Sequence, residues 1–288
     1  MNLDSEIRQK IVVVCCCDDE VAARVAHVLN DWRLERLPNR EALSVLLATH
    51  TVDLILTGRH ISGKEAVVNL SEILAVSDAR VILQPRESQR EDVIAAMRLG
   101  AFSYFSKPYF EAAFDEILRH ADSDVDWRDS IQVNSATHEW LRIIARCEVS
   151  TADRVVQFMN EVSDLEEEER ESMGFALKEI LMNAMEYGGR FNRERCVEVS
   201  YVRGKRMLLY RIRDPGDGFS LEELTHAAIS NPPEEPVRHL EIRDAMGIRP
   251  GGFGVMLTRK LVDDLIYSEQ GNDVLLIKYL EMSPAASQ

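Results

Sequence analysis

The stretch that decides the fold spans residues 178–189 and reads KEILMNAMEYGG. It continues a helical pattern in which apolar residues recur along one face: Met173, Ala176, Leu177, Ile180, Leu181 and Ala184. Glu179 and Asn183 lie one helical turn apart on a different face. A carboxylate and a carboxamide in this arrangement offer oxygen ligands of the kind that magnesium accepts. Taken alone, the pair also fits the solvated face of an ordinary amphipathic helix.

Two later stretches give this pair a context. Residues 211–219 (RIRDPGDGF) follow an apolar run and predict a strand that breaks into a turn with D-x-G-x-G spacing. Residues 251–254 (GGFG) open a second helical pattern. Glycines at a helix N-terminus let backbone amides approach a phosphate closely, and the helix dipole favours the anion. Each glycine motif alone is weak evidence, but the three stretches in this order are specific.

On these motifs the chain resembles the GHKL ATPase superfamily and, within it, the serine/threonine kinases that act as anti-sigma factors in bacterial partner switching. The resemblance runs from about residue 140 to 280 and implies a two-layer α/β sandwich, the GHKL or Bergerat ATPase fold. It also implies ATP and magnesium as cofactors, with Asn183 holding the metal, Glu179 as general base and Asp214 binding the adenine amino group. The glycines would shape the two ends of the site: Gly216 and Gly218 at adenine, Gly252 and Gly254 at the phosphates.

The long segment between residues 219 and 251 is rich in proline, and the family places its ATP lid here. Arg238, Arg243 and Arg249 suit phosphate oxygens, and Arg249 is our predicted nucleotide ligand. Ion pairs with nearby glutamates are an equal alternative for these arginines. In its last strand the family often carries a threonine where this chain has Leu275, which argues for weaker phosphate coordination.

The first half alternates strand and helix patterns. Apolar, β-branched runs predict strands at residues 10–14, 52–57, 81–83 and 101–105, each followed by a helical period. This alternation predicts a flavodoxin-like, doubly wound parallel sheet. Residues 99–108 (LGAFSYFSKP) resemble the closing stretch of a response-regulator receiver domain. A flavodoxin-like domain of unrelated origin is the alternative.

The receiver pattern is degenerate. Gly58 stands where the phospho-acceptor aspartate should be, the acidic pair falls on Cys15-Cys16, and the switch Ser/Thr falls near Gln84-Pro85. A later register would use Asp18-Asp19 but puts the helix stripe out of phase, so only Lys107 remains of the usual site. Aspartyl phosphorylation needs a carboxylate nucleophile and an acid-bound magnesium. We therefore expect a pseudo-receiver that serves as an interaction or dimerisation module.

Three adjacent cysteines, at positions 15–17, follow the first predicted strand. Neighbouring strand residues point to opposite faces, which is poor geometry for one metal, so we expect buried, inert thiols. With five cysteines in all, the chain does not present a disulfide framework. Because it also lacks a signal-peptide pattern and a membrane-spanning apolar run, we expect a cytoplasmic protein.

Clustered charge at residues 122–126 marks the domain boundary. We predict a pseudo-receiver domain at 1–124, a linker at 125–136 and a GHKL-type ATP-binding domain at 137–288. His138-Glu139 resembles the start of a histidine-kinase acceptor box, but too little chain separates His138 from Asn183 for a dimerisation hairpin. A histidine kinase is therefore disfavoured.

The function expected from the sequence is an ATP-dependent serine/threonine protein kinase and anti-sigma-type partner-switching regulator with a non-phosphorylatable receiver. Its expected partners are a small antagonist protein carrying a phosphorylatable serine, a sigma factor and a second copy of the chain as a homodimer. The net charge of −15 argues against nonspecific binding of nucleic acid or anionic membranes. The alternative is a non-catalytic nucleotide-binding or sequestering module that regulates a signalling partner.

Overall fold

The computed structural model describes residues 8–58, 60–123, 126–137, 139–218, 244–245 and 253–280. The chain divides into two compact units, Met1–Arg128 and Asp129–Gln288. Several residues singled out from the sequence lie outside the described ranges: His138, Arg238, Arg243, Arg249 and Gly252.

In its described residues the first unit alternates five strands with five helices. The strands are β1 (Ile11–Cys15), β2 (Arg33–Leu37), β3 (Leu54–Thr57), β4 (Arg80–Leu83) and β5 (Ser103–Tyr104). The helices are α1 (Asp19–Val28), α2 (Arg40–Leu47), α3 (Gly63–Leu74), α4 (Arg90–Leu99) and α5 (Glu111–Ala121). The strands are parallel and ordered β2-β1-β3-β4-β5, which is the flavodoxin-like order. The predicted doubly wound sheet is confirmed.

The burial of each strand explains which strands the sequence predicted. Strands β1 and β3 are buried along their whole length, because each has a strand on both sides and helices on both faces. Strand β2 was missed because its sequence, RLERL, is charged. It lies at the sheet edge and pairs only with β1, so its charged side chains reach solvent.

The described part of the second unit contains six strands and three α-helices. The strands are β6 (Ile131–Ala136), β7 (Trp140–Arg146), β8 (Cys196–Arg203), β9 (Met207–Arg213), β10 (Asp264–Tyr267) and β11 (Asp273–Tyr279). The helices are α6 (Val149–Ser163), α7 (Glu167–Asn183) and α8 (Gly254–Leu261), with a π-helical turn (Ala184–Gly188) directly after α7.

The sheet of the second unit runs β10-β11-β9-β8-β7-β6. Every pairing in it is antiparallel, and the predicted two-layer arrangement of sheet and helices is confirmed. Strand β6 also corrects the predicted linker at 125–136. Its sequence, IQVNSA, is polar enough to suggest a loop, but it completes the sheet edge beside β7.

Helices cover one face of this sheet. The side chains that point toward them are buried, as shown by Ile143, Val199 and Tyr210 on three neighbouring strands. Two buried tyrosines anchor α6 to the sheet, because the Tyr201 hydroxyl donates to the Val162 carbonyl at 3.1 Å and the Tyr210 hydroxyl donates to the Met159 carbonyl at 3.4 Å. These bonds satisfy the hydroxyl groups of two buried side chains.

Candidate functional site

Helix α7 positions the first two predicted site residues. Its apolar stripe, including Leu177, Ile180 and Leu181, is buried, while Glu179 and Asn183 are half-buried on another face. The α-helix ends at Asn183 and continues as the π-helical turn, in which the Gly189 N–H donates to the Ala184 carbonyl at 2.9 Å. Single π-turns are rare and are frequently found at functional sites.

The π-helical turn brings Gly188 against Asp214. Asp214 directly follows β9, and a Cβ built on Gly188 would overlap its Oδ1 atom, so only glycine allows this approach. The Gly216 N–H donates to the same Oδ1 at 2.7 Å. Asp214 Oδ1 is therefore fixed from two sides.

Asn272 holds the glycine turn in place from the loop between β10 and β11. Its Nδ2 donates to the Gly216 carbonyl at 3.1 Å, and its own carbonyl accepts the Asp214 N–H at 3.0 Å. Gly218 has a φ of +86°, and a Cβ there would overlap the Gln270 carbonyl oxygen. Of the two predicted adenine-pocket glycines, Gly216 thus lies at Asp214, whereas Gly218 lies against this loop.

Two opposing effects set the charge of Asp214. Partial burial raises the pKa of its carboxyl, and the nearby Asp273 carboxylate acts in the same direction. The Gly216 N–H and the Arg195 guanidinium lower it, but burial is the larger effect. Arg195 also donates from Nη1 to the Gly188 carbonyl at 2.8 Å.

The C-terminal half of α7 also faces the start of α8. A Cβ built on Gly254 would overlap Glu179 Oε2, so the carboxylate of the predicted base lies directly against the first residue of α8. The first backbone N–H groups of a helix have no partner within the helix and attract anions. Glu179 therefore lies beside the end of the predicted phosphate loop, whose other glycine, Gly252, is outside the described residues.

Two side chains of α7 and one from the turn after β9 thus supply three oxygen-bearing groups, two carboxylates and one carboxamide. The carboxylate of Glu179 lies near α8, the carboxamide of Asn183 follows one turn later, and the carboxylate of Asp214 lies beyond Gly188. Carboxylate and carboxamide oxygens suit Mg²⁺, and the close approaches at Gly188 and Gly254 bring the Asp214 and Glu179 carboxylates against the glycine backbone. The chemistry of this donor set fits a magnesium–nucleotide complex, for which the Asn183 carboxamide would be a suitable metal ligand.

Leu275 lies on the other face of the sheet. It is half-buried on β11 beside Arg211 of β9, while its neighbour Leu276 is fully buried on the helix side. Side chains alternate along a strand, so Leu275 points away from the helices. The missing threonine at this position therefore gives little reason to expect weaker phosphate coordination.

The carboxyl edge of the first sheet holds the degenerate receiver positions. Gly58 follows β3 with a φ of +116°, a conformation that side-chain-bearing residues rarely adopt. Strand β1 ends at Cys15, and helix α1 begins at Asp19 with its apolar residues buried, so the thiols occupy the positions after the strand. Lys107 lies 3.8 Å from Asp18 Oδ2 and 3.5 Å from Glu20 Oε2.

Only one of the three adjacent cysteines is buried as we expected. Cys15 is buried, and burial raises the pKa of its thiol to about 12. Cys16 and Cys17 are only half-buried. Cys16 has a φ of 55°, which turns its Sγ to within 3.8 Å of Cys15 Sγ instead of the opposite face. Within the described ranges, these thiols belong to no cluster of three or more metal-ligating side chains.

Comparison with known proteins agrees with the geometry of the second unit. Residues 143–278 match the family of histidine kinase-like ATPase domains. The second unit holds a histidine kinase-like ATPase domain. The match includes Glu179, Asn183, Asp214 and Gly254, and it begins within β7 and ends within β11.

One curated relative of this ATPase domain is the serine-protein kinase RsbW of Oceanobacillus iheyensis. It is 28% identical over 111 residues, which is 38% of this chain and 65% of the relative. The alignment thus covers less than two thirds of that relative.

The first unit is similar to solved receiver domains. A response regulator from Thermotoga maritima is 17% identical, with 40% of this chain and 98% of that chain covered and a TM-score of 0.34. The receiver domain of an HD domain-containing protein from Pseudomonas fluorescens Pf-5 is 20% identical, with 40% and 94% covered and a TM-score of 0.34. The receiver-like fold assignment rests on the strand order described above.

Among the described residues, no helix has the length and apolar character needed to cross a membrane.

Three residues of the ATPase domain site escaped the sequence reasoning. Gly188 is the type of residue that ends a helix, yet it also contacts Asp214. Arg195 and Asn272 belong to stretches without a motif, yet each donates a side-chain hydrogen bond to a backbone carbonyl at the site. The Gly188-Gly189 pair was the one available signal, because a single glycine is sufficient to end a helix.

Proposed function

We propose that this chain is a cytoplasmic, ATP-dependent serine/threonine protein kinase and anti-sigma-type partner-switching regulator with a receiver domain that cannot be phosphorylated on aspartate. One observation carries the proposal. The Glu179 carboxylate lies against the first residue of α8, one turn before Asn183, and Asp214 lies at the far end of the same helical segment. This arrangement supports a base at the phosphate end and an acceptor at the adenine end.

Each side chain then has a distinct task. Asp214 accepts a hydrogen bond from the adenine amino group, and Asn183 supplies an oxygen ligand to magnesium. Magnesium, when bound, neutralises charge on the transferring phosphate. Glu179 accepts the proton of a serine hydroxyl while the serine oxygen bonds to the γ-phosphorus of ATP. The bond from that phosphorus to ADP breaks, and ADP leaves. Because little covalent chemistry is required of the protein, positioning and electrostatics supply most of the catalysis.

The proposed substrate is a serine on a small antagonist protein, and the second proposed partner is a sigma factor. The similarity to a serine-protein kinase supports serine as the acceptor. With a net charge of −15, the chain has no reason to bind nucleic acid nonspecifically, which is consistent with regulation through a protein partner.

We further propose that the chain forms a homodimer through the uncovered face of its antiparallel sheet. An apolar row crosses four strands of this face, because register pairs Trp140 with Val202, Val202 with Leu209, and Leu209 with Ile277. Trp140 and Val202 remain 38% and 36% exposed. Large side chains left exposed together mark interaction surfaces.

Charge and size favour a second copy as the occupant of this face. Two ion pairs lie within the face, Arg142 with Glu198 and Arg211 with Asp273, and this pairing reduces the repulsion expected between two copies of a strongly acidic chain. Six strands about 4.8 Å apart and roughly seven residues long give a face of about 600 Å². Stable interfaces bury about 800 Å² per partner, which is close to this size.

Phosphate transfer from γ-labelled ATP to candidate antagonist proteins tests the kinase. We expect Glu179→Gln to keep ATP affinity and to lower transfer by about 10²–10⁴-fold, the usual contribution of a general base. Asn183→Ala should weaken magnesium-dependent ATP binding. Glu171→Gln is the matched control, because Glu171 is an exposed acid on the same helix.

The outcomes separate the kinase from the alternative. Wild-type protein that binds ATP but transfers phosphate to no serine across a panel of antagonists would identify a non-catalytic sequestering module.

Sedimentation tests the dimer: it should show a dimer for wild type and for Val202→Thr and a monomer for Val202→Glu. A Val202→Glu dimer would rule out this face.

A further inference from the structure

Arg195 links three parts of the ATPase domain. It directly precedes β8, and its backbone carbonyl accepts the Cys147 N–H at 3.1 Å, which ties it to the end of β7. Its guanidinium donates from Nη1 to the Gly188 carbonyl at 2.8 Å. The side chain is half-buried, so this hydrogen bond is partly shielded from water. Arg195 therefore holds the last residue of the π-helical turn from a fixed position on the sheet.

Gly188 transmits this restraint to the nucleotide site. It packs so closely on Asp214 that a Cβ would overlap the carboxylate oxygen. Gly216 is equally close, because a Cβ on Gly216 would lie 2.8 Å from the Gly188 Cα. A shift of the Gly188 backbone by a fraction of an ångström would therefore move the carboxylate or open a gap beside it.

We propose that Arg195 is the positioning residue for the adenine end of the site: through Gly188 it fixes the place of the Asp214 carboxylate, and its guanidinium adds a positive charge near it. The inference rests on the proposed function in so far as Asp214 is the adenine acceptor. It adds Arg195 as a residue that acts on Asp214, through the Gly188 backbone and through its own charge.

The electrostatic part follows from the groups that face Asp214. Burial and the Asp273 carboxylate raise the pKa of Asp214, while the Gly216 N–H and Arg195 lower it. The Cys147 thiol is a further titratable neighbour, and burial raises its pKa to about 11, so it stays neutral near pH 7. Arg195 is thus the positive charge that opposes burial, and its removal should raise the pKa of Asp214.

Three variants separate position from charge. Arg195→Gln removes the charge, and Arg195→Lys keeps it while losing the planar fork. Arg193→Gln is the control, because Arg193 lies two residues earlier and pairs instead with Asp129, at 3.0 Å, and with Glu148. Each variant is compared with wild type for its circular dichroism, for its affinity for ATP with magnesium from mildly acidic to neutral pH, and for the titration of Asp214 by carboxyl ¹³C NMR without nucleotide.

We expect Arg195→Gln to weaken ATP binding at neutral pH by up to about tenfold, the scale of one hydrogen bond. The acid-side loss of affinity should move to higher pH, and the NMR titration of Asp214 should move with it. Arg195→Lys should restore the titration, and Arg193→Gln should match wild type in both measurements.

The NMR titration decides the inference independently of the proposed function. An unchanged Asp214 titration in folded Arg195→Gln would overturn the inference, whatever happens to ATP. If Arg195→Gln lost ATP affinity by the same factor at every pH, Arg195 would have only a structural role, and the inference would also be overturned. If the titration moves but Asp214→Asn binds ATP like wild type, the adenine assignment fails, while the control of Asp214 by Arg195 stands.

Discussion

Replacing Asp214 with asparagine tests the adenine end of the site with almost no change of shape. Asp214 Oδ1 accepts the Gly216 N–H at 2.7 Å, so in the variant the amide oxygen must take this position to keep the bond. The amide NH₂ then occupies the position of Oδ2. In the wild-type protein a charged acceptor faces the adenine amino group, which is a donor. In the variant a second donor would face it, and no hydrogen bond would form.

The size of the effect follows from the bond that is lost. A hydrogen bond to a charged group contributes about 1.5–3 kcal/mol, which corresponds to roughly 10- to 150-fold in Kd. We expect Asp214→Asn to weaken ATP by this factor in calorimetric titrations with magnesium present. Asp217→Asn is the control, because Asp217 is an exposed acid in the same turn. An unchanged Kd in folded Asp214→Asn, or an equal loss in Asp217→Asn, would refute the assignment.

The same substitution should act in the opposite direction on the stability of the nucleotide-free protein. The pKa of Asp214 is raised in the folded state, so the folded chain holds this proton more tightly than the unfolded chain does. Ionisation, as pH rises through the unfolded and then the folded pKa, therefore destabilises the fold. A neutral asparagine removes this cost, and the thermal midpoint at neutral pH should stay the same or rise. A clear fall would show that the carboxylate stabilises the fold.

Three further outcomes are expected. Gly218→Ala places a side chain at a φ of +86° and against a backbone carbonyl, so it should lower the thermal midpoint by at least about 2 °C, while Gly204→Ala, whose Cβ meets nothing closer than 3.5 Å, should not. Acetyl phosphate should add no phosphate to the first unit by mass spectrometry, because Gly58 has no carboxylate; a phosphorylated aspartate there would show that our register is wrong. Iodoacetamide at neutral pH should modify Cys16 and leave Cys15 unmodified, because burial raises the pKa of the Cys15 thiol to about 12; peptide mapping that finds both modified equally would contradict this.

Local patterns made much of the fold predictable. The buried strands β1 and β3 and helix α7 each carry their own periodicity, so a short window of sequence identifies them. The edge strands β2 and β6 do not, because an edge strand has one neighbour and tolerates the polar residues that suggest a loop.

The candidate site divides in the same way. Glu179 and Asn183 were recognisable because their spacing lies within one helix. The contact of Gly188 with Asp214, and the hydrogen bond from Arg195, join segments that are brought together only by the sheet. The π-helical turn was also beyond reach, because one extra residue in a helical turn leaves no mark in the apolar period.

The backbone at Gly58 has a consequence for how this domain can change over evolutionary time. A single substitution to aspartate would put a side chain on a φ of +116°, and it would leave Cys15-Cys16 at the positions expected for the acidic pair. Phosphate chemistry would therefore require several coordinated changes, and none of the intermediate sequences would gain activity from its own step. Such a barrier leaves the carboxyl edge of the sheet free to diverge under demands unrelated to phosphorylation, such as the fit to a binding partner.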